Sequence, residues 1–306
     1  VLPELTYEDF LAFHQRYYHP SNSYIYLYGN MDMEERLAYL DREYLSKYDA
    51  LAVDSALAPE PPFGQCVLVE KEYSIMESEP EEGNTYLSYN VSLGENLDRE
   101  VSVGFQALAD AVVGAPGAPV RKALLDAGIG TDISSFYEAD VKQPYFSIVA
   151  KNAEGEQREA FVSIIEETLK SLSEDGVEKK ALRAALNHDE FKYREADYGS
   201  YPKGLMYGLQ MFETWLYDDK KPFDYLELGE TYKTLKKEVD SSFYEEMIRI
   251  RLLKNTHKSV VVVRPVKGLT GKRDKALAKK LAAKKAAMTQ EEIARIVEET
   301  EALAAY

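Results

Sequence analysis

The chain of 306 residues is 45% hydrophobic and 29% charged, enough apolar content for a real core, which excludes a disordered tail. Its formal net charge of −16 repels phosphate backbones and excludes nucleic acid as a main partner. A lone Cys66 excludes a disulfide framework and any multi-cysteine metal site.

No apolar stretch approaches the roughly 20 residues that span a bilayer, so no membrane partner is expected. The opening Val-Leu-Pro-Glu-Leu-Thr has neither a basic nor an apolar signal region, and the expected location is cytoplasmic. Val1 stands where an initiator methionine would, so the chain reads as a piece of something longer.

Residues 5–18 read as a helix, with Thr6 as cap, Asp9 in capping-box position, and Phe10, Phe13 and Tyr17 on one face. His19-Pro20 stops it. Alternation then predicts a strand over 23–29, with Ile25 and Leu27 on one side and Tyr24, Tyr26 and Tyr28 on the other. A second helix follows over about 33–46. The Ala-, Pro- and acid-rich stretch 49–65 reads as a linker.

VLVEKEYSI and TYLSYNVSL, within 67–93, read as two strands about an acidic turn. A helix over about 98–113 ends at the GAPGAP loop, and a short helix runs on to Gly128. Strands over 131–139 and 144–151 suggest a hairpin. A helix over 155–173 carries Phe161, Ile164, Ile165, Leu169 and Leu172 on one stripe. Residues 177–256 read as largely helical, with breaks at Gly199–Pro202 and Pro222. Residues 259–263 read as a buried strand closed by Pro265.

Two segments repeat one another in part. Residues 5–29 run helix, Asn22, strand, and residues 239–263 run helix, Asn255, strand. Phe10 and Phe243 each precede their asparagine by 12 positions. The repeat implies that the chain opens on the end of one domain and then holds a second copy of the same fold. In the last segment, 272–285 carries seven basic side chains and 291–301 is rich in Glu. Thr289 and Glu292 form a capping box, and the two charge blocks suggest an antiparallel helical hairpin with complementary faces.

The run LTYEDFLAFHQRYYHPSNSYIYLYGNMDMEE resembles the end of the first domain of the insulinase-type (pitrilysin-like) zinc metallopeptidases, nearest to their presequence-protease branch. APVRKALLDAGIG and MFETWLYDDKKPFDYLELGE resemble parts of the homologous domain that follows. The resemblance covers nearly the whole chain. It implies an α+β fold of mostly antiparallel sheet with helices on one face. It implies residues 1–50 as the C-terminal part of a first, catalytic-type domain, 51–66 as linker, 67–268 as a second, non-catalytic domain and 269–306 as a helical hairpin towards a missing half.

The implied parent is a zinc-dependent endopeptidase that degrades short unfolded peptides in a closed chamber, this portion supplying wall and hinge. Its implied partners are those peptides and the remainder of the same polypeptide. An alternative is a catalytically silent scaffold subunit of the same fold.

The family's zinc motif, His-x-x-Glu-His on one helix, is missing. His14, His19, His188 and His257 show no such spacing, so zinc is expected in the parent and none in this chain, and no catalytic residue carries over. His188-Asp189-Glu190 point to different helix faces and read as solvated surface. GAPGAP lacks the Lys-Ser/Thr of a phosphate cradle. Tyr24, Tyr26 and Tyr28 could line a peptide-facing wall or pack under helices; the strand pattern serves both.

Overall fold

The computed structural model describes residues 4–306, so Val1–Pro3 of the opening segment lie outside the described residues. Helix α1 (Tyr7–Tyr17) starts at Thr6, whose hydroxyl accepts the Asp9 amide at 3.1 Å and donates to the Asp9 carboxylate at 2.7 Å. That reciprocity satisfies an otherwise orphaned N–H of the first turn. At the start of helix α2 (Met33–Glu43) the Asp32 carboxylate accepts the Glu35 amide at 3.0 Å. Neither helix buries a residue, and Phe10 and Phe13 stay more than half exposed. Residues 23–28 are extended but join no ladder, which corrects the strand expected there. A strand needs a neighbour's backbone, and among the described residues none pairs with this segment.

The sheet is built from the residues that follow, 67–267. It comprises β1 (Val67–Ile75), β2 (Thr85–Ser92), β3 (Asp132–Glu138), β4 (Tyr145–Ala153) and β5 (Lys258–Lys267), in the order β1-β5-β2-β4-β3. The last strand in sequence enters near the middle, parallel to β1 and antiparallel to β2. The β2–β4 and β4–β3 pairs are antiparallel, so the α+β architecture with mostly antiparallel pairing holds. β5 continues through Pro265 to Lys267, past the stop expected there. Its pairing with β2 ends at Val263, so a residue without an N–H interrupts no ladder on that side.

Helices cover one face. They are α3 (Arg99–Ala109), running into a π-helical turn at Asp110–Gly114, α4 (Pro119–Asp126), α5 (Arg158–Asp175), α6 (Lys179–Glu195), α8 (Gly229–Glu238) and α9 (Phe243–Met247), while α7 (Lys203–Trp215) adds no residue to the core beneath them. Alternate strand residues Leu87, Tyr89, Val91, Ile133, Phe146, Ile148, Val260 and Val262 meet Phe105, Leu108, Phe161, Ile165 and Leu169 from those helices in one core. Phe105 stands edge-on to Phe146 with ring centres 5.3 Å apart. The stretch Arg99–Asp126 is long and apolar enough to match a membrane span by length and composition, contrary to the reading above. Here its apolar side is spent on the sheet: Phe105, Leu108, Val112 and Val120 are buried. Gly130, at φ +65°, ends the approach to β3, where an added Cβ would meet the Lys151 carbonyl at 2.6 Å.

Past β5, α10 (Leu269–Ala286) and α11 (Gln290–Ala305) bury no residue. Thr289 and Glu292 do form the capping box. The expected charge pairing across the turn is not made: among the described residues no ion pair joins the two helices, and Arg295 pairs with Glu299 within α11. Fully solvated lysines gain little from such pairs and lose side-chain entropy by making them.

Candidate functional site

The histidines are dispersed. His14 stacks on Tyr18 with ring centres 4.5 Å apart, and His19 accepts the Ser21 amide at Nδ1. His257 meets Phe63 edge-on at 4.3 Å, and His188 is exposed. Beside it, burial raises the Asp189 carboxyl, while Lys236 and Arg194 hold Glu190 low. Among the described residues no three His, Cys, Asp or Glu side chains converge as metal ligands. The donor set among the described residues does not fit a catalytic zinc.

Tyr24, Tyr26 and Tyr28 face α7. The helix carries Gly204 and Gly208 one turn apart, and the rings of Tyr28 and Tyr26 lie directly on them: a Cβ at Gly208 would sit 2.7 Å from Tyr26 Cδ1. Tyr24 packs on Trp215 at 4.8 Å between ring centres, and its hydroxyl donates to Asp219 Oδ1 at 2.8 Å. Burial and that carboxylate together raise the Tyr24 phenol. The tyrosine side of the segment therefore docks on α7, although Tyr28 stays 57% and Tyr24 38% exposed, as Ile25 on the opposite side is at 43%.

The sheet face without helices offers a broader surface. Cross-strand neighbours form one row Phe136, Ser147, Asn90, Ser259, Val67 and a second row Ser134, Val149, Ser88, Val261, Val69. Asn90 organises the centre. Its Nδ2 donates to Ser88 Oγ at 3.1 Å and reaches Ser259 Oγ at 3.5 Å, and its Oδ1 accepts from Ser147 Oγ at 2.7 Å. A cavity of about 400 Å³ opens at one end, lined by Phe63, Asn90, Tyr145, His257 and Ser259. Short hydroxyl, amide and valine side chains leave a shallow floor on which an extended chain can lie and exchange hydrogen bonds. Among the described residues the centre of this face carries hydroxyl, amide and valine side chains, with His257 at the cavity's end.

Sequence reasoning passed over this face. The Ser88-x-Asn90-x-Ser92 alternation was visible in β2, but its alignment with Ser147 and Ser259 depends on strand order, which period-2 patterning does not contain.

The family described as Peptidase M16 inactive domain matches residues 4–188. Protein HypA of Clostridium perfringens is 40% identical over 280 residues, which is 92% of this chain and 29% of that protein. Presequence protease 1, chloroplastic/mitochondrial, of Arabidopsis thaliana is 32% identical over 310 residues, 99% of this chain and 28% of that protein. The chain thus spans less than a third of the length of these curated relatives. Among solved structures, a protease from Helicobacter pylori shares the fold at TM-score 0.64 and 14% identity, over 86% of this chain and 60% of that one. The matched stretch runs from α1 into α6, taking in the Tyr24–Tyr28 segment and the first four strands, and on that match the chain belongs to the peptidase M16 family, in its inactive domain.

Proposed function

We propose that the chain is a non-catalytic portion of a longer, zinc-dependent M16-type endopeptidase, and that its open sheet face is chamber wall against which unfolded peptides lie. One observation carries the reading: a five-stranded sheet keeps one face clear of helices and floors its centre with Ser88, Asn90, Ser147 and Ser259, while charges such as the Asp132–Lys151 pair stand towards its edges. Kinship with presequence proteases supports peptide hydrolysis as the parent's reaction. Zinc and its bound water would belong to another part of the polypeptide, and α1 with residues 23–28 would complete the sheet of that neighbouring domain. The helices α10 and α11 would lead towards a further half.

The test is made in a longer polypeptide that cleaves a fluorogenic peptide. Asn90→Arg places a long cation in the middle of the floor. KM is expected to rise at least about tenfold with kcat nearly retained, the signature of lost binding rather than lost chemistry. An unchanged KM would remove the face from the substrate path.

A further inference from the structure

The cavity at the end of the open sheet face has walls unlike its floor. Tyr145, Ser92 and His257 are cross-strand neighbours on β4, β2 and the entry to β5: Ser92 pairs with Tyr145, and its amide donates to the His257 carbonyl at 3.0 Å. A small side chain thus stands between two rings. Strands lie about 4.8 Å apart, so the backbones that carry those rings are about 10 Å apart. Phe63 of the linker stands edge-on to His257 at 4.3 Å and lines the same cavity. Tyr145 meets Phe136 of β3, on the side away from β2, with ring centres 6.1 Å apart. Ser88, Asn90 and Ser259 continue the floor.

Bonds within the protein hold both walls. Asn255 Nδ2 donates to the Ser92 carbonyl at 2.6 Å and its Oδ1 accepts the His257 amide at 2.8 Å, so one side chain ties floor and wall together. The Leu93 amide donates to the carbonyl of Pro144, next to Tyr145, at 2.8 Å. Gln143, just before Pro144, exchanges two bonds with the Glu60 backbone, and only Pro61 and Pro62 separate Glu60 from Phe63. The linker wall and the β4 wall are thereby fixed to each other. Walls set in advance lower the ordering cost of whatever enters.

We propose that this cavity is a specificity pocket for one aromatic side chain of an extended peptide, with Phe63, Tyr145 and His257 as its walls, a role that rests on the reading of this face as peptide wall. Aromatic rings favour centre-to-centre separations of about 4.5–7 Å, and a ring midway between walls about 10 Å apart lies about 5 Å from each. An aliphatic side chain fills the same width without the edge-to-face contacts. Among the described residues the lining holds no Lys, Arg, Asp or Glu, so a neutral ring enters without stranding one of those charges. In an extended peptide the flanking residues point away from the floor, and the next inward side chain falls on the serine and asparagine rows.

The experiment uses the longer polypeptide that cleaves a fluorogenic peptide, with a peptide set in which each position in turn holds Phe, Leu or Ala. At one position Phe is expected to lower KM about tenfold relative to Ala and about threefold relative to Leu. Phe63→Ala and Tyr145→Ala should each reduce the preference over Ala to about twofold or less, with KM for the Ala peptide nearly unchanged. Ser92→Phe fills the pocket from its floor and removes the preference with both walls intact, so the result does not hang on the fold of a wall variant. An absent preference, or one that survives any of the three variants while Asn90→Arg still raises KM, would overturn the pocket and leave the wall standing. An Asn90→Arg variant with unchanged KM would remove both.

Discussion

Gln143 and Glu60 bond each other twice. The Glu60 amide donates to Gln143 Oε1 at 2.7 Å, and Gln143 Nε2 donates back to the Glu60 carbonyl at 3.0 Å. One side chain thus imitates a neighbouring strand and pins the proline-rich linker, which Lys142 and the Phe63–His257 contact hold on either side. Prolines at 59, 61 and 62 make that segment cheap to immobilise, because their φ is already set.

Removing the pin should free the linker without touching the sheet. Gln143→Ala loses two side chain–backbone bonds, together about 1–2 kcal/mol of local stability. Limited proteolysis should cut within residues 51–66 several-fold faster, while the melting temperature moves little. Equal cutting rates would show that the prolines and Phe63 suffice.

Gly208→Ala is expected to act in two directions. Alanine favours the helix by about 1 kcal/mol over glycine. Its Cβ would also stand 2.7 Å from the Tyr26 ring, and that ring lies on a segment without ladder bonds, so the segment moves rather than the helix. The second domain should melt no lower than wild type, while Trp215 loses its Tyr24 contact and its emission shifts to the red. A lower melting temperature with unchanged emission would mean that the helix yields instead.

What the sequence disclosed follows the range of the forces involved. Thr6 and Thr289 cap helices where short-range spacing placed them, and the bounds of β1 coincide with the VLVEKEYSI run. Those features depend on neighbours a few positions away. The Tyr24–Tyr28 alternation was real but ambiguous, since the same pattern serves a strand in a sheet or a ribbon lying on a helix. What decides is Gly204 and Gly208, about 180 positions away, which let two rings reach the helix backbone. The hairpin charges misled for a related reason: composition registers that opposite charges exist, and only geometry registers whether they meet.

The two asparagines of the repeat provide a comparison within one chain. Asn255 Nδ2 donates to the Arg251 carbonyl at 2.9 Å and to the Ser92 carbonyl at 2.6 Å, and its Oδ1 accepts the His257 amide at 2.8 Å. Asn22 Nδ2 likewise donates to a helix-end carbonyl, Tyr17 at 2.9 Å, but its Oδ1 takes the linker hydroxyl of Ser55. The first asparagine ties a helix to a sheet; the second ties one to a loop. Asn255→Ala should cost about 2–3 kcal/mol, since it strands partly buried backbone groups, and Asn22→Ala about 1 kcal/mol or less. Denaturant midpoints measured side by side test the ratio, and equal losses would mean that the sheet contact adds nothing.

Deleting residues 272–306 should leave the second domain's thermal transition nearly where it is. The domain's core is closed without them: Ile75 and Val262 are buried, whereas Leu277 and Leu281 on α10 are each 54% exposed. The start of α10 is held at two points, the Gly268 amide on the Ile75 carbonyl at 3.0 Å and the Thr270 amide on Ser74 Oγ at 3.0 Å, and the cut spares both. At about 25 cal/mol per Å² of apolar surface removed from water, helices that bury no residue return little on folding, so the melting temperature should fall by less than about 2 °C. Solubility should change more than stability, because the cut takes away a basic block and leaves the remaining chain still more acidic. Calorimetry on the two chains decides the matter, and a loss of 5 °C or more would make α10 and α11 part of the core.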